Sequence, residues 1–398
     1  MDFALTEEQE MIRDSAQSFL ADVSGSEAVR VAMATEAGFD AALWQRICGE
    51  MYWQAIHIPE QYGGMGLGYV ELATLLEQMG RQLLCSPFFS TVCLAANALL
   101  VAGSEEQKQQ WLPQIVEGTT TATLAYTGRA AGWDADAVTA TYCVDGGDFV
   151  LSGDLHYVPD GHTAGLLVVA AREQGSAGES GISLFLLPAE TAGVTRQWLA
   201  TMDQTRKQAR IVLDDVRLDA ASVMGEQGRA WPQLHKVIQL AQVAVAAEQM
   251  GGAEKVLQMA VDYSQEREQF GRSIASYQAI KHRAADMMLK AEVSRSAVYY
   301  AACVAEEALS ADGDAAIAVE LSEVASMAKA YCSDSYFFNA GCALQLFGGV
   351  GFTWEYDCQL YFKRAKSSET FLGNGGYHRE LIAAQLLDSV DTAQEAQS

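Results

Sequence analysis

Two acidic and basic positions in this chain have settings that suit chemistry. Glu248 stands in the run AVAAEQMGG, surrounded by small apolar residues. An ionised carboxylate is costly in such a setting unless it is partnered. That environment suits a general base kept in a closed pocket, and equally a structural glutamate hydrogen-bonded across a helix bundle. Arg267 opens the word REQFG, residues 267 to 271. Its guanidinium is a rigid, always-charged fork that can hold an anion such as a diphosphate, or complement the dipole at a helix end. In QLFGGVGFT, residues 345 to 353, Gly348 and Gly349 can let backbone approach a ligand closely, or can simply end a helix. Trp354-Glu355 follows and can reach a ligand or be a packed aromatic with an exposed acid.

Other reactive residue types are spaced for no chemistry. His57, His156, His162, His235, His282 and His378 form no triad and no metal-ligand pattern. The eight cysteines include no C-x-x-C pair and none at ligand spacing from a histidine, so no metal site is expected. They are expected to be buried free thiols of a reducing cytosol.

The elements that must position Glu248 and Arg267 lie in the stretch from Ala246 to Met288. Val256, Met259, Ala260 and Tyr263 recur at three- and four-residue steps, which predicts a helix, a break at Phe270-Gly271-Arg272, and a second helix. Gly271 is expected to end the first and Ser276 to cap the second. No proline occurs after Pro232, and since proline costs about 3 kcal/mol inside a helix, a bundle of long helices is expected. Its members are placed at 232 to 266, 276 to 309, 313 to 346, and a short one after Tyr377, followed by a polar tail beyond Asp388.

Upstream, from about Thr120, the period falls to two. TATLAYT, AVTATYCVD, DFVLSGDLHYV, GLLVVAAR, GISLFLLPA and ARIVLDDVRL predict strands of an antiparallel barrel or sandwich. Before that the pattern is helical, with capping boxes at Thr6/Gln9 and Ser104/Gln107 and Pro113 near the end of the last helix. The expectation is an α+β multidomain chain: an N-terminal all-helical domain over 1–119, a middle β domain over 120–228, and a C-terminal four-helix bundle over 229–398.

Composition agrees with a compact protein: of 398 residues, 50% are hydrophobic and 19% charged. The formal net charge of -25 repels phosphate backbones and anionic lipid, so nucleic acid and membrane are not expected partners. No stretch approaches the roughly 18 apolar residues of a spanning helix, and the opening residues have no signal-type apolar core. A cytoplasmic, soluble protein is expected.

In this three-part order, the words PEQYGGMGLGYVELATLLEQMGR, GSEEQKQQWLPQIVEG, REQFG with Gln278, QLFGGVGFT and the closing segment from Arg364 to Arg379 resemble the acyl-CoA dehydrogenase family along essentially the whole chain. The resemblance implies an FAD site. Arg267 and the loop starting at Phe270 would hold the diphosphate, Gln278 would contact the nucleotide, and Gln345, Gly348 and Gly349 would receive the adenosine end from the neighbouring subunit. A homo- or heterotetramer follows. Thr127, Tyr157, Val158 and Asn374 would belong to the same cofactor site. The β-domain words depart from the family's: the serine of T-E-P-x-A-G-S-D is Trp133 here, and W-I-T-N-G reads Tyr157-Val158-Pro159-Asp160-Gly161. Tyr157 can still stack on an isoalloxazine ring, whereas Pro159 has neither hydroxyl nor N–H.

The family's base departs further. The glutamate of Y-E-G-T corresponds to Leu372, within Phe371-Leu372-Gly373-Asn374, and the alternative helical position corresponds to Ala241. Glu248 lies seven residues after Ala241, about 10 Å along the axis near the same face, and is the candidate base. Glu369, three residues before Leu372, is a second candidate whose plainer reading is a solvated surface carboxylate. The chain thus resembles a divergent subgroup lacking the usual C-terminal glutamate, some of whose members oxidise bulky thioesters such as steroid side chains as heteromeric assemblies. The implied reaction is α,β-dehydrogenation of an acyl-CoA, with electrons passing to an electron-transfer flavoprotein. Two alternatives stand beside it: a non-catalytic subunit completing a partner's FAD site, and a flavin oxidase or monooxygenase on the same scaffold.

Overall fold

The computed structural model describes residues 5–130, 132–310 and 314–395. The expected helix start at 313 and Ala131 of the β-domain word lie outside them. Helices α1 (Glu7–Val23), α2 (Ser26–Ala34), α3 (Ala41–Arg46), α4 (Tyr69–Arg81), α5 (Asn97–Ala102) and α6 (Glu105–Val116) precede the sheet. Both expected capping boxes form. Thr6 Oγ1 accepts from the Gln9 amide at 3.2 Å while Gln9 Oε1 accepts from the Thr6 amide at 3.0 Å, and Ser104 with Gln107 repeats the exchange.

The strands are β1 (Ala122–Ala125), β2 (Thr141–Asp145), β3 (Asp148–Pro159), β4 (Leu166–Glu173), β5 (Ile182–Pro188), β6 (Val194–Leu199), β7 (Gln208–Leu218) and β8 (Val223–Met224). They form one sheet in the order β6-β7-β3-β2-β4-β5-β8, with β1 also on β4. Most pairs are antiparallel; β4 runs parallel to β1 and to the start of β2. Tyr142, Phe149 and Phe185 meet edge to face at 5.3 to 5.7 Å in its core.

Helix α7 (Trp231–Glu266) follows, then β9 (Glu268–Gln269), β10 (Arg272–Ser273), α8 (Gln278–Ser310), α9 (Ala315–Phe347), α10 (Cys358–Thr370) and α11 (Gly375–Glu395). The long helices fall where the missing prolines put them. The short final helix is instead 21 residues and continues into the expected polar tail as far as Glu395. The break after α7 also differs from expectation. Helix α7 ends at Glu266, and Phe270-Gly271 forms the two-residue turn of a hairpin in which Gln269 faces Arg272. Ser276 does not cap α8, because its hydroxyl donates to the Ser273 carbonyl at 2.7 Å.

The chain packs as two compact units. One comprises the segment ending at Ser26, Tyr69–Leu84 and everything from Gln242; the other comprises Glu27–Gly68 and Cys85–Ala241. In the first unit α4 lies directly on α7. A Cβ on Gly80 would come within 2.1 Å of the Glu248 carbonyl oxygen, and one on Gly251 within 1.9 Å of the Glu77 carbonyl oxygen. Only glycine permits so close a crossing. An ion network seals it: Arg295 of α8 meets Glu77 at 2.6 Å and Glu254 at 2.8 Å, and Arg81 meets Glu254 at 2.6 Å. Burial raises the Glu77 carboxyl above its ordinary range in spite of Arg295. Burial opposes ionisation of Glu254 as well, but two guanidiniums outweigh it and hold its pKa below the ordinary value.

Candidate functional site

The ends of α7 and α9 are brought together by aromatic packing. Tyr263, one turn before Arg267, stacks on Phe347 with centroids 4.2 Å apart, and Tyr356 closes the cluster edge-on. REQFG and the glycines after Phe347 therefore converge. Phe270 and Gly271 both have positive φ, 55° and 80°, and the Phe270 ring is 94% exposed at the hairpin tip. A phenylalanine held left-handed with its ring in water is costly on both counts. Gly348 caps α9 at φ 66°, and its amide donates to the Leu344 carbonyl, so the helix-end role and the open approach coexist. A Cβ on Gly348 or Gly349 would meet nothing within 4 Å.

Arg267, Gln278 and Gln345 are exposed, and no side-chain hydrogen bond or ion pair holds them among the described residues. Gln345 also lines a groove of about 720 Å³ between α8 and α9, together with Ile280, Arg283, Gly341, Phe338 and Leu346. This face combines a fixed cation, two amides and open glycines. Its donors suit an anion joined to a hydrogen-bonding ring system.

In the second unit the β-domain residues converge likewise. Gly128 bridges to Leu155, the His156 amide donates to the Thr127 carbonyl at 2.9 Å, and Thr127 Oγ1 donates to the His156 carbonyl at 3.1 Å. The register of β3 on β7 shifts between Leu155 and Val158, one extra residue on β3. Tyr157 is turned out there at φ 58° and is 36% exposed, while Val158 is buried. Tyr157 lines a cavity of about 470 Å³ with Arg129, His156, Thr201 and Arg210. Asp154 accepts from Arg210 Nε and Nη2 at 2.7 and 2.8 Å, which lowers its carboxyl pKa and pairs the guanidinium charge. Trp133, in the serine's place, sits 6.4 Å from the Tyr126 ring. Pro159 keeps its carbonyl in use, accepting from Thr123 Oγ1 at 2.7 Å.

Glu248 is 8% exposed on α7, at the crossing with α4. Glu77 of the same unit is buried as well, and is ion-paired to Arg295. Leu372 and Ala241 are both buried and bear no proton acceptor in their side chains. Glu369 is half-buried and paired to Lys366 at 2.8 Å, which differs from the solvated carboxylate expected. Asn374 uses its side-chain oxygen to accept from the Tyr377 amide at 2.9 Å, capping α11. Sequence reasoning missed Lys329, fully buried beneath the Leu372 turn. Its one signal was a lysine in the otherwise apolar and small run VASMAKAYCS.

Comparison with known proteins decides the family. The acyl-CoA dehydrogenase N-terminal, middle and C-terminal domain models match residues 6–119, 123–216 and 228–387. The chain belongs to the acyl-CoA dehydrogenase family. Acyl-CoA dehydrogenase IpdE2 of Mycolicibacterium smegmatis is 31% identical over 370 residues, 93% of this chain and 96% of the relative. A solved structure titled for the electron transferring flavoprotein of Acidaminococcus fermentans superposes with a TM-score of 0.88 at 32% identity, over 97% of this chain and 100% of the other. The ChsE4-ChsE5 complex of Mycobacterium tuberculosis superposes at 0.86 and 27%, over 97% and 99%. As an acyl-CoA dehydrogenase the chain has the family's three-part fold, and no described helix is long and apolar enough to cross a membrane.

Proposed function

We propose that this chain catalyses α,β-dehydrogenation of an acyl-CoA thioester with FAD, and that Glu248 is its base. The observation that carries the assignment of the base is the burial of Glu248 on α7, the helix that bears the inert Ala241 at the family's alternative base position. Arg267, with the loop at Phe270, holds the diphosphate, and Gln278 contacts the nucleotide. Gln345, Gly348 and Gly349 take the adenosine end from a neighbouring subunit. The exposure of these groups and the open space at the two glycines support the fit. On the β domain Tyr157 offers its ring, the Val158 backbone an edge contact and Thr127 its oxygen lone pairs. Asn374 contributes what its capping role leaves, its amide N–H groups. Bound FAD supplies the acceptor for the hydride that leaves the β-carbon.

The chain's own part is to orient the thioester, exclude water and move the α-proton. Removing that proton requires a carboxylate close to the α-carbon. The Phe371–Asn374 turn borders the acyl group without offering a base of its own. A reshaped pocket of this kind favours a bulky or branched acyl chain. An electron-transfer flavoprotein takes the electrons onward, and the assembly is a tetramer of this chain or of this chain with a related one.

The test is the visible spectrum of the purified protein before and after straight-chain, branched and steroid acyl-CoA thioesters are added without oxygen. Bleaching of a bound flavin is expected in wild type, and E248Q is expected to keep the flavin but not bleach. Undiminished bleaching in E248Q removes Glu248 from the mechanism. A second reading is favoured by one observation, the inert Leu372 and Ala241 at both usual base positions. In it the chain completes a partner's FAD site, and a flavin that no thioester bleaches until a related chain is added would establish it.

A further inference from the structure

The turn between α10 and α11 is held in an unfavourable shape. Leu372 has φ 59° and Gly373 φ 98°, and Leu372 is 1% exposed. A leucine in the left-handed region costs roughly 1–2 kcal/mol and persists only where its surroundings over-determine it. Here they do. Lys329 Nζ donates to the Gly373 carbonyl at 2.7 Å, the Glu369 carbonyl at 3.1 Å and Ser333 Oγ at 2.9 Å. His378 Nε2 donates to the Leu372 carbonyl at 2.9 Å, and Gln242 Nε2 donates to the same oxygen at 3.3 Å. Three helices, α7, α9 and α11, thus send polar side chains to one four-residue turn.

We propose that Lys329 is a positioning residue whose ammonium, by filling three acceptors at once, latches the Leu372–Gly373 turn, and that losing its proton loosens the turn. This rests on the reading above that the turn borders the acyl group. An ammonium has three N–H donors and meets three oxygens; a neutral amine has two, so the Ser333 contact can persist only if that hydroxyl turns from Gln249 Oε1 and donates to the nitrogen lone pair. Among the described residues, the two carboxylates that face it are each bound to another cation. On α9 the facing groups are Cys332 and Asp334, the latter bound to Arg379; on α10, Glu369, bound to Lys366. On α11 it is His378, and on α7 the groups are the neutral amides Gln242 and Gln249. Burial pushes Lys329 down to about 7, against small opposing effects from Cys332, Glu369 and Asp334. Burial also pushes the Cys332 thiol up to about 12, and burial with the Lys329 charge pushes His378 down to about 4. Across neutral pH, Lys329 is therefore the member of this cluster that changes charge.

The experiment is hydrogen exchange by mass spectrometry on the full-length protein with its flavin, following the segment 371–378 at about pH 6 and about pH 8.5, corrected for intrinsic rates. Amides here are held by the Ser367 and Asn374 carbonyls and by Asn374 Oδ1. Releasing one clamp should lower protection of this segment about five- to tenfold at the higher pH, while α8 is unchanged. K329M should show the low protection at both pH values. Equal protection at both pH values in wild type overturns the proposal, and because that comparison needs no variant, a misfolded K329M does not obscure it. In turnover, K329M should raise KM for the thioester with kcat little changed; a loss confined to kcat also overturns the positioning role. A flavin that no thioester bleaches defeats the dehydrogenase reading alone, since the exchange result still decides the latch.

Discussion

The converging ends of α7 and α9 and the Phe371–Asn374 turn are opposites. At the first, Arg267, Gln278 and Gln345 point into solvent with no protein partner among the described residues, and Gly348 and Gly349 leave room beside them. At the second, each carbonyl that turns inward receives a donor from another helix. Solvent can satisfy the first set at no cost, so nothing in the fold requires those residue types there. The second set must be complete or the buried groups would be orphaned. A face that serves a ligand shows itself by what its residues leave unused. A frame that positions a segment shows itself by spending its donors on that segment's carbonyls, as Lys329, His378 and Gln242 do here.

That contrast can be broken at four points. G251A should have the largest effect, because its Cβ meets a backbone oxygen at 1.9 Å and α4 must move off α7. A loss of about 3 kcal/mol in urea denaturation is expected, and a loss under about 1 kcal/mol would mean the crossing is soft. R295M comes next: it leaves Glu77 buried without its cation, and because Arg295 itself is over a third exposed the expected loss is about 2 kcal/mol.

E254Q sharpens the comparison through pH. The folded pKa of Glu254 lies below its ordinary 4.5, so its ionised form stabilises the fold above that pH, and the benefit fades as pH falls through the folded value. Wild type should therefore exceed E254Q in melting temperature near neutrality, with the two converging in acid. Parallel curves would show that the carboxylate contributes through packing rather than charge. R267M should have the smallest effect on stability, within about 0.5 kcal/mol, as expected for an exposed side chain. Its flavin affinity, measured by fluorescence on reconstitution of the flavin-free protein, should fall about tenfold or more, since a charge-assisted contact is worth roughly 1.5–3 kcal/mol. Unchanged affinity would return Arg267 to a helix-end role.

Much of the architecture was legible because its signals are local. Missing prolines marked α7, α8 and α9, and the period-two runs marked β1 to β5 and β7, while β6, with its Arg196 and Gln197, went unmarked. Thr6/Gln9 and Ser104/Gln107 carried their own capping chemistry. The hairpin at Phe270 was not legible, because phenylalanine has no preference for positive φ and is held there by the pairing of β9 with β10. Ser276 looked like a cap but lies in a short turn before Gln278, where its hydroxyl finds a nearer acceptor. Asn374 was read only as a cofactor contact, and its second use, an oxygen that caps α11, follows from where that helix starts.

The amino-acid sequence by itself determined the order of elements, the family, and the absence of a glutamate at the two usual positions, since these depend on residue type and spacing along one segment. Only the tertiary structure decided that Glu77 is bound to an arginine 218 residues away, that Gly80 and Gly251 bring two helices into contact, and that Lys329 reaches a turn 44 residues later. A lysine in a helix belongs on the surface unless acceptors meet it inside, here two distant carbonyls beside the Ser333 hydroxyl of its own helix. No local pattern encodes where those carbonyls will point, because their direction is set by the packing of α7, α9 and α11 around them.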